Sequence, residues 1–295
     1  MEYNIYKLDF KNAHFGNGTL ASSEATFTAD RLYSALFMES LKLGKEKEFF
    51  DLTKSNKFKM SDAFPYMREP YLPFPAVIPH KLLEQRDLKR KYQMQTLVKQ
   101  VNYLPLSLWE AFWKGQITVP ELLNYQDRLF VNKVVTKKGV DPFNVGVSYY
   151  GKTSLYIIAT ASELFDTLMQ SLQYTGIGGK RSSGYGVYQL EKLELPSQFK
   201  DKLNFSGRKS LLLTTSLPKD NELDEAMTNA KYELIKKSGY IYSESAKRIL
   251  KKRVLYKFKA GSIFEHTYQG DIYDVGPKNF EHPVWSYSKA LFYQF

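Results

Sequence analysis

Gly176-Ile177-Gly178-Gly179-Lys180-Arg181-Ser182-Ser183-Gly184-Tyr185-Gly186 stands between two segments of different period. Before it, Leu164, Phe165, Leu168, Met169 and Leu172 recur at helical spacing, with Ser162 placed to cap the helix. After it, Tyr185 to Leu195 alternates as a strand does. The stretch is therefore a glycine-rich turn from helix to strand. Its glycines open positive φ and close approach of a ligand to the backbone. Exposed N–H groups in such a turn form a nest for anions, to which Lys180 and Arg181 add charge and Ser182 and Ser183 add hydroxyls. It is not a Walker loop, because Gly-Lys-Ser/Thr at the required spacing is missing. It is not a dinucleotide fingerprint either, since that motif follows a strand and opens a helix. The plain alternative is a turn that serves only the chain's own packing.

Reading outward, Tyr3 to Phe10 alternates as a strand and His14 to Ser23 is a Gly, Asn and Ser-rich loop. Thr28 is placed as an N-cap, with Asp30 in the first turn near the positive end of the dipole. Leu32, Ala35, Leu36 and Leu43 carry the helix to Gly44. Prolines 65, 70, 73, 75 and 79 exclude a helix and argue against a central strand. Lys81 to Val101 is basic, with Arg86, Lys89, Arg90, Lys91 and Lys99 opposed by Glu84 and Asp87. Leu129–Val135 and Val145–Tyr150 read as strands about a Lys137-Lys138-Gly139 turn, a long β-hairpin with a basic tip. Leu155–Ala159 is a further strand. The order strand, helix, strands, helix, strand is that of a ferredoxin-like βαββαβ unit in an α+β protein. After Pro196 the pattern restarts: a strand over Ser210–Ser216, a helix over Leu223–Lys237, then short strands over Gly239–Ser243, Arg253–Lys259, Asp271–Val275 and Ser286–Phe295. The boundary falls at residues 196–209.

The 295 residues leave room for two domains, and a hydrophobic content of 43% supplies their cores. No apolar run approaches the ~20 residues that span a bilayer, and Met1-Glu2-Tyr3 does not begin a signal peptide, so no membrane and a cytoplasmic location are expected. With no cysteine, thiolate catalysis and Cys-type zinc sites are excluded. A net charge of +11 with 22 Tyr and 20 Phe suits a nucleic-acid partner, through phosphate neutralisation and base stacking.

Few residues suggest catalysis. His14 has no second histidine nearby, and Asp30 suits a helix start, so an acid–base pair is not supported. His80 and His266 lack metal-ligand spacing, and Asp271 and Asp274 face opposite sides of a strand. Neither a metal nor another cofactor is expected. Residues 231–259 are dominated by Lys and Arg; were they helical, Lys247, Arg248, Lys251 and Lys252 would share a face, either solvated or turned to RNA or a partner.

The helix, glycine-rich loop and strand resemble the signature of the RAMP superfamily of CRISPR proteins. Other segments resemble one family within it, the fourth subunit of the type III-A Csm complex. These are His14-Phe15-Gly16, Thr28-Ala29-Asp30-Arg31-Leu32-Tyr33-Ser34-Ala35-Leu36, Tyr71-Leu72-Pro73-Phe74-Pro75, Gly261-Ser262-Ile263-Phe264 and His282-Pro283-Val284-Trp285-Ser286-Tyr287. Their order runs over nearly the whole chain.

The resemblance implies two ferredoxin-like (RRM-like) domains. Residues 1–196 would form the first, with an inserted Pro-rich segment and a thumb hairpin at about 128–150, and residues 197–295 the second. It implies a non-catalytic, RNA-binding subunit that grips the 5′ handle of the crRNA in a cleft beneath the glycine-rich loop. The RNA-binding residues would be His14, Gly16, Gly176, Gly178, Gly179, Lys180, Arg181, Ser182, Ser183, Gly184 and Tyr185. The thumb, with Arg128, Lys133, Lys137, Lys138 and Phe143, would wedge into the guide–target duplex and so meet target RNA. Implied protein partners are a large polymerase-like signature subunit and the first backbone RAMP subunit. Phe64, Tyr66, Tyr71, Leu72, Phe74, Val77, Ile78, Trp109, Phe112 and Trp113 would either face such a partner or close the gap between the chain's own halves. The rival functions are a RAMP-type endoribonuclease that processes precursor RNA and a scaffold that contacts only protein.

Overall fold

The computed structural model describes residues 1–83, 88–137, 142–204, 207–241 and 250–295, without the side chains of 88–91 and 198. The expectations for Glu84, Arg86, Asp87, the side chains of Lys89, Arg90 and Lys91, for Lys138 and for Lys247 and Arg248 lie outside the described residues.

Alternation in Tyr3–Phe10 separates the two larger apolar cores. Tyr6, Leu8 and Phe10 point to one face of a sheet, and Tyr3 and Ile5 to the other. The sheet is antiparallel and runs Tyr188–Glu194, Tyr3–Phe10, Ser154–Thr160, Phe64–Met67, Glu69–Pro73, Tyr103–Pro105. Its first four strands take the spatial order fourth, first, third, second. A helix follows the first of them, Ala29–Lys42, and another the third, Glu163–Thr175. Both helices pack on the Tyr6–Phe10 face, with Leu32, Leu36, Phe165 and Leu168 fully buried there. Ser162 caps the second as its spacing predicts, its hydroxyl accepting from Phe165 N at 3.4 Å. Thr28 sits at the N-cap of the first, but its hydroxyl caps nothing. Asp62, distant in sequence, accepts from Ala29 N at 2.8 Å instead.

Two strands run through the Pro-rich segment, against the expectation of none in a sheet interior. The pairings explain the tolerance. Phe64–Met67 meets Ser154–Tyr156 over three residues and Glu69–Pro70 over two, so few ladder donors are missing at proline. The aromatic and apolar residues of this region belong to the chain itself. Phe64, Leu72, Trp109 and Phe112 are buried in the second core, against Leu211, Leu213, Leu291 and Tyr293 of the C-terminal half. Trp113 stacks on Phe295 at 5.0 Å, and Trp109 meets Tyr293 edge-on at 5.3 Å.

The C-terminal half is centred on Ser210–Leu212, flanked by Ile263–Phe264 and Phe292–Gln294, all antiparallel. It departs from the expected second βαββαβ pattern. Among its described residues the one helix after Ser210 is Asp220–Met227. A hairpin of Ile272–Asp274 with Trp285–Tyr287 occupies the place of a second helix. The helix expected to reach Lys237 stops at Met227, since Asn229 turns left-handed (φ 55°) and Lys231 bridges to Ile263 in extended backbone. Leu234–Lys237 then pairs with Leu255–Phe258 and Tyr240–Ile241 with Leu250–Lys251, forming a β-ribbon.

Candidate nucleic-acid interface

The glycine-rich loop is built on His14. The His14 carbonyl accepts from Gly179 N at 2.9 Å, and Gly186 N reaches Asn12 O at 3.1 Å. The loop closes on itself through Ile177 N to Gly186 O at 2.9 Å. Most of its glycines are used in this packing. A Cβ on Gly186 would fall 2.0 Å from Ile177 O, one on Gly178 2.6 Å from His14 O, and one on Gly176 2.8 Å from Gly186 O. Gly179 admits no Cβ either, with the His14 ring 2.8 Å away, whereas Gly184 faces open space.

His14 is buried, with Nδ1 2.7 Å from Gly146 O. A carbonyl can only accept, so Nδ1 carries a proton and donates it, and the ring's second nitrogen is Nε2. That Nε2 lies 3.0 Å from where a Cβ of Gly16 would stand. Gly16 O accepts from Arg31 Nη2 at 2.8 Å, so the first helix also holds this turn. Burial lowers the Arg31 pKa, while Glu24 and Asp30 oppose that shift.

What the loop leaves exposed is Arg181, Ser182, Ser183 and Gly184, with Lys180 half-buried beside them. Lys180 holds the left-handed conformation (φ 57°), and Arg181–Ser183 form one 3₁₀ turn. Tyr185 is not available for base stacking, since it is buried against Val145 and Val147.

Those valines belong to the long hairpin, Val131–Lys137 with Phe143–Tyr149, paired over seven residues from Val131↔Tyr149 to Lys137↔Phe143. Its strands lie about two residues nearer the tip than expected at the outgoing end, and Arg128 sits in the turn before it rather than on it. Two cation–π contacts join hairpin and loop. Lys180 Nζ lies 4.7 Å from the Phe143 ring centre and Lys137 Nζ 5.1 Å from that of Tyr185. Lys133 is exposed, as are Val131, Val134 and Phe143. Gly146 lets the hairpin close on the neighbouring turn, for a Cβ there would meet Ser22 at 2.6 Å. A glycine inside an alternating strand is the sequence signal for such an approach.

A cleft of about 780 Å³ separates the halves, but none of residues 176–186 lines it. Its walls include Thr28, Asp62, Tyr103, Asn132 at the hairpin base and Ile235 of the C-terminal ribbon. Asp62 is fully buried, which raises its pKa, and Oδ2 accepts from Thr215 Oγ1 at 2.6 Å and Thr215 N at 3.1 Å.

The other acidic candidates have structural partners. Asp30 Oδ1 accepts from Tyr287 N at 2.9 Å and Ser286 Oγ at 3.0 Å, with Lys257 Nζ 3.8 Å away, and so ties the first helix to the C-terminal half. Asp271 pairs with Lys54 at 2.6 Å, and Asp274 accepts from Gly276 N and Val284 N. His266 lies 3.5 Å from Glu225.

Residues 206–295 match the family model described as the CRISPR Csm4 C-terminal domain. The whole chain is similar to the CRISPR system Cms protein Csm4 of Streptococcus thermophilus, 40% identical over 301 residues that cover 100% of this chain and 99% of that protein. The namesake from Mycobacterium tuberculosis (strain CDC 1551 / Oshkosh) is 33% identical over 305 residues, covering 99% and 97%. The fold is that of Csm4-containing crystal structures. A chain of the Csm3-Csm4 subcomplex in the type III-A CRISPR-Cas interference complex superposes with a TM-score of 0.67 at 16% identity, over 99% of both chains. One from a Csm1-Csm4 cassette in complex with pppApA gives 0.62 at 17% identity, over 99% of this chain and 97% of that one.

Proposed function

The chain belongs to the Csm4 family, and from that premise we propose that it is a non-catalytic, RNA-binding subunit of a cytoplasmic Csm ribonucleoprotein, holding the repeat-derived 5′ handle of the crRNA. The observation that carries the reading is the exposed Arg181-Ser182-Ser183 turn with half-buried Lys180 beside it, held against the hairpin by the Lys180–Phe143 and Lys137–Tyr185 contacts. Two cations and two hydroxyls on a turn fixed by glycine packing form a rigid phosphate grip. The hairpin beside it is a thumb, whose exposed Val134 and Phe143 enter the guide–target duplex while Lys133 meets a phosphate. Residues 1–196 are a ferredoxin-like domain, which the strand order supports. Residues 197–295 are a second domain, with one helix after Ser210 among the described residues. A Csm1-type large subunit and a Csm3-type backbone subunit are the partners, a reading supported by the fold shared with chains solved in those two assemblies.

The endoribonuclease alternative needs a free general acid or base at the loop. The buried His14 ring, tied to Gly146 O and wedged between Gly16 and Gly179, speaks against His14 in that role.

The test is RNA binding by Lys180→Ala/Arg181→Ala. Removing two phosphate contacts flattens the slope of log K against log salt by about 1.4 for a single strand. RNA that copurifies with the wild-type complex is expected to share one repeat-derived 5′ end. An unchanged slope together with RNA of random ends would refute the reading. Precursor cleavage lost in His14→Ala would replace it with the nuclease.

A further inference from the structure

The basic run at 231–259 forms the β-ribbon of the C-terminal half, and its strands have an uneven arrangement of charge. Residues 234–241 and 250–258 contain Lys236, Lys237, Lys251, Lys252, Arg253 and Lys257 and no Asp or Glu. Three of these cations are used internally. Lys257 is buried and donates to Ser286 Oγ at 2.9 Å and Tyr287 O at 2.7 Å. Arg253 Nε donates to Gly276 O at 2.8 Å, and Lys237 Nζ to Thr28 Oγ1 at 3.3 Å. Lys236 and Lys251 are exposed and have no ion-pair partner among the described residues.

Each of the two is registered against a tyrosine. Lys236 lies opposite Tyr256, and Tyr240 opposite Lys251. Both rings are unusually open for an aromatic residue, at 57% for Tyr256 and 68% for Tyr240. The offset between the pairs comes from a bulge. Gly239 takes φ 149°, and its carbonyl accepts from Lys252 N at 2.8 Å, so three residues of one strand span four of the other.

We propose that the outer face of this ribbon is a second contact for single-stranded RNA, separate from the glycine-rich loop. This rests on the RNA-binding reading above and extends it to a second surface of the same chain. The chemistry selects the partner. Exposed tyrosine faces offer stacking to bases of any identity, and a lysine across the strand from each ring is placed for the adjoining phosphate. Neither strand carries a carboxylate to repel a polyanion, and Glu233, just before the first strand, is ion-paired with Lys259 at 2.8 Å. The opposite side of the ribbon lines the cleft between the halves through Ile235, so a strand on the outer face lies outside that cleft.

The test uses the full chain and a labelled uridine 20-mer, which removes any preference for handle sequence. Tyr240→Ser/Tyr256→Ser is expected to weaken binding at least five-fold, the low end for loss of one stacked base. Lys236→Ala/Lys251→Ala is expected to flatten the salt slope by about 1.4. All four side chains are exposed, so the melting temperature should not move, and Tyr→Trp exchanges should keep affinity. If Lys180→Ala/Arg181→Ala loses affinity and the ribbon variants do not, the ribbon proposal fails while the loop reading stands. The reverse result removes the loop and keeps the ribbon, and no binding by wild-type protein removes both. In the assembled complex, Lys236 and Lys251 should be shielded from acylation until RNase is added. Shielding that survives RNase would mean that a protein covers this face, which overturns the proposal.

Discussion

Asp62 joins three parts of the protein, so its removal gives the sharpest test of how the halves are held. One oxygen caps the helix Ala29–Lys42 at Ala29 N, and the other accepts from the backbone and hydroxyl of Thr215 in the C-terminal half. In Asp62→Ala the helix loses its cap, worth ~1 kcal/mol, and Thr215 N is left buried without an acceptor at ~1–3 kcal/mol. The total is ~2–4 kcal/mol, or roughly 4–8 °C in melting temperature for a chain of this size. Asp62→Asn keeps one oxygen for Ala29 N but turns an NH₂ toward Thr215 N, so about half of that loss is expected. Burial raises the Asp62 pKa above its ordinary 3.8. The folded state therefore binds this proton more tightly than the unfolded chain. The corresponding stability is complete below pH 3.8 and is lost as pH rises through the folded value. Asp62→Asn should remove that component. Differential scanning calorimetry of wild type, both variants and Thr215→Val measures each quantity. Losses for Asp62→Ala and Thr215→Val that simply add in the double variant would refute the tie, because groups in contact must couple.

Lys289 Nζ donates to the carbonyls of Thr53 at 2.8 Å and Phe58 at 2.6 Å and to that of Ser55, and burial lowers its pKa from 10.5 to about 7. Between about pH 7 and 10.5 the unfolded chain binds more protons at this site, so stability should rise with pH there. In urea titrations Lys289→Met should flatten the rise and cost ~3 kcal/mol through carbonyls left unpaired. Gly186 and Gly184 share a positive φ, but a Cβ meets backbone at the first and nothing at the second. Gly184→Ala should cost only the ~1–2 kcal/mol of left-handed strain, and Gly186→Ala clearly more, by thermal melting. Equal losses would mean that the loop is not packed as described.

Period and punctuation in the sequence located three strands of the first sheet, Tyr3–Phe10, Ser154–Thr160 and Tyr188–Glu194, both of its helices, the hairpin and the glycine-rich turn, because each depends on residues close along the chain, but not the sheet's Pro-rich strands. The expectations that failed depended on long-range partners. Leu223–Lys237 is helical by pattern, but Lys231 pairs with Ile263 instead and the helix ends at Met227. The cap expected of Thr28 is supplied by Asp62, a residue with no local signal. Five glycines between a helix and a strand suggested a backbone open to a ligand. In the fold Gly176, Gly178, Gly179 and Gly186 are instead filled by the chain's own atoms, and the exposed part is the Arg181–Ser183 turn they hold, with Lys180 half-buried beside it. For His14 the sequence showed a turn beside Gly16 and Gly18, but its bonds to Gly146 O and to Gly179 N join residues far along the chain. Lys236 and Tyr256 become neighbours only through the ribbon register, so the sequence showed their charge and aromaticity without their pairing.

The seam between the halves uses two kinds of contact that do different things. Apolar surface from Trp109, Phe112, Leu211, Leu291 and Tyr293 supplies most of the attraction, and that attraction has little direction. Asp30, Asp62 and Lys289 are polar or charged groups that would be costly to bury unpaired, and each finds acceptors or donors across the seam, while Lys257, hydrogen-bonded within the C-terminal half, lies 3.8 Å from Asp30. Hydrogen bonds need angle as well as distance, so the halves satisfy the three bonded groups in one relative placement. The long hairpin is carried by the first half and the β-ribbon by the second, and their separation is set by that placement. Neither Lys133 and Phe143 on the hairpin nor Lys236 and Tyr256 on the ribbon takes part in the seam. Substitutions there can therefore change the proposed RNA affinity without changing stability, whereas Asp62→Ala should change stability and, by loosening the seam, the distance between the two proposed RNA contacts.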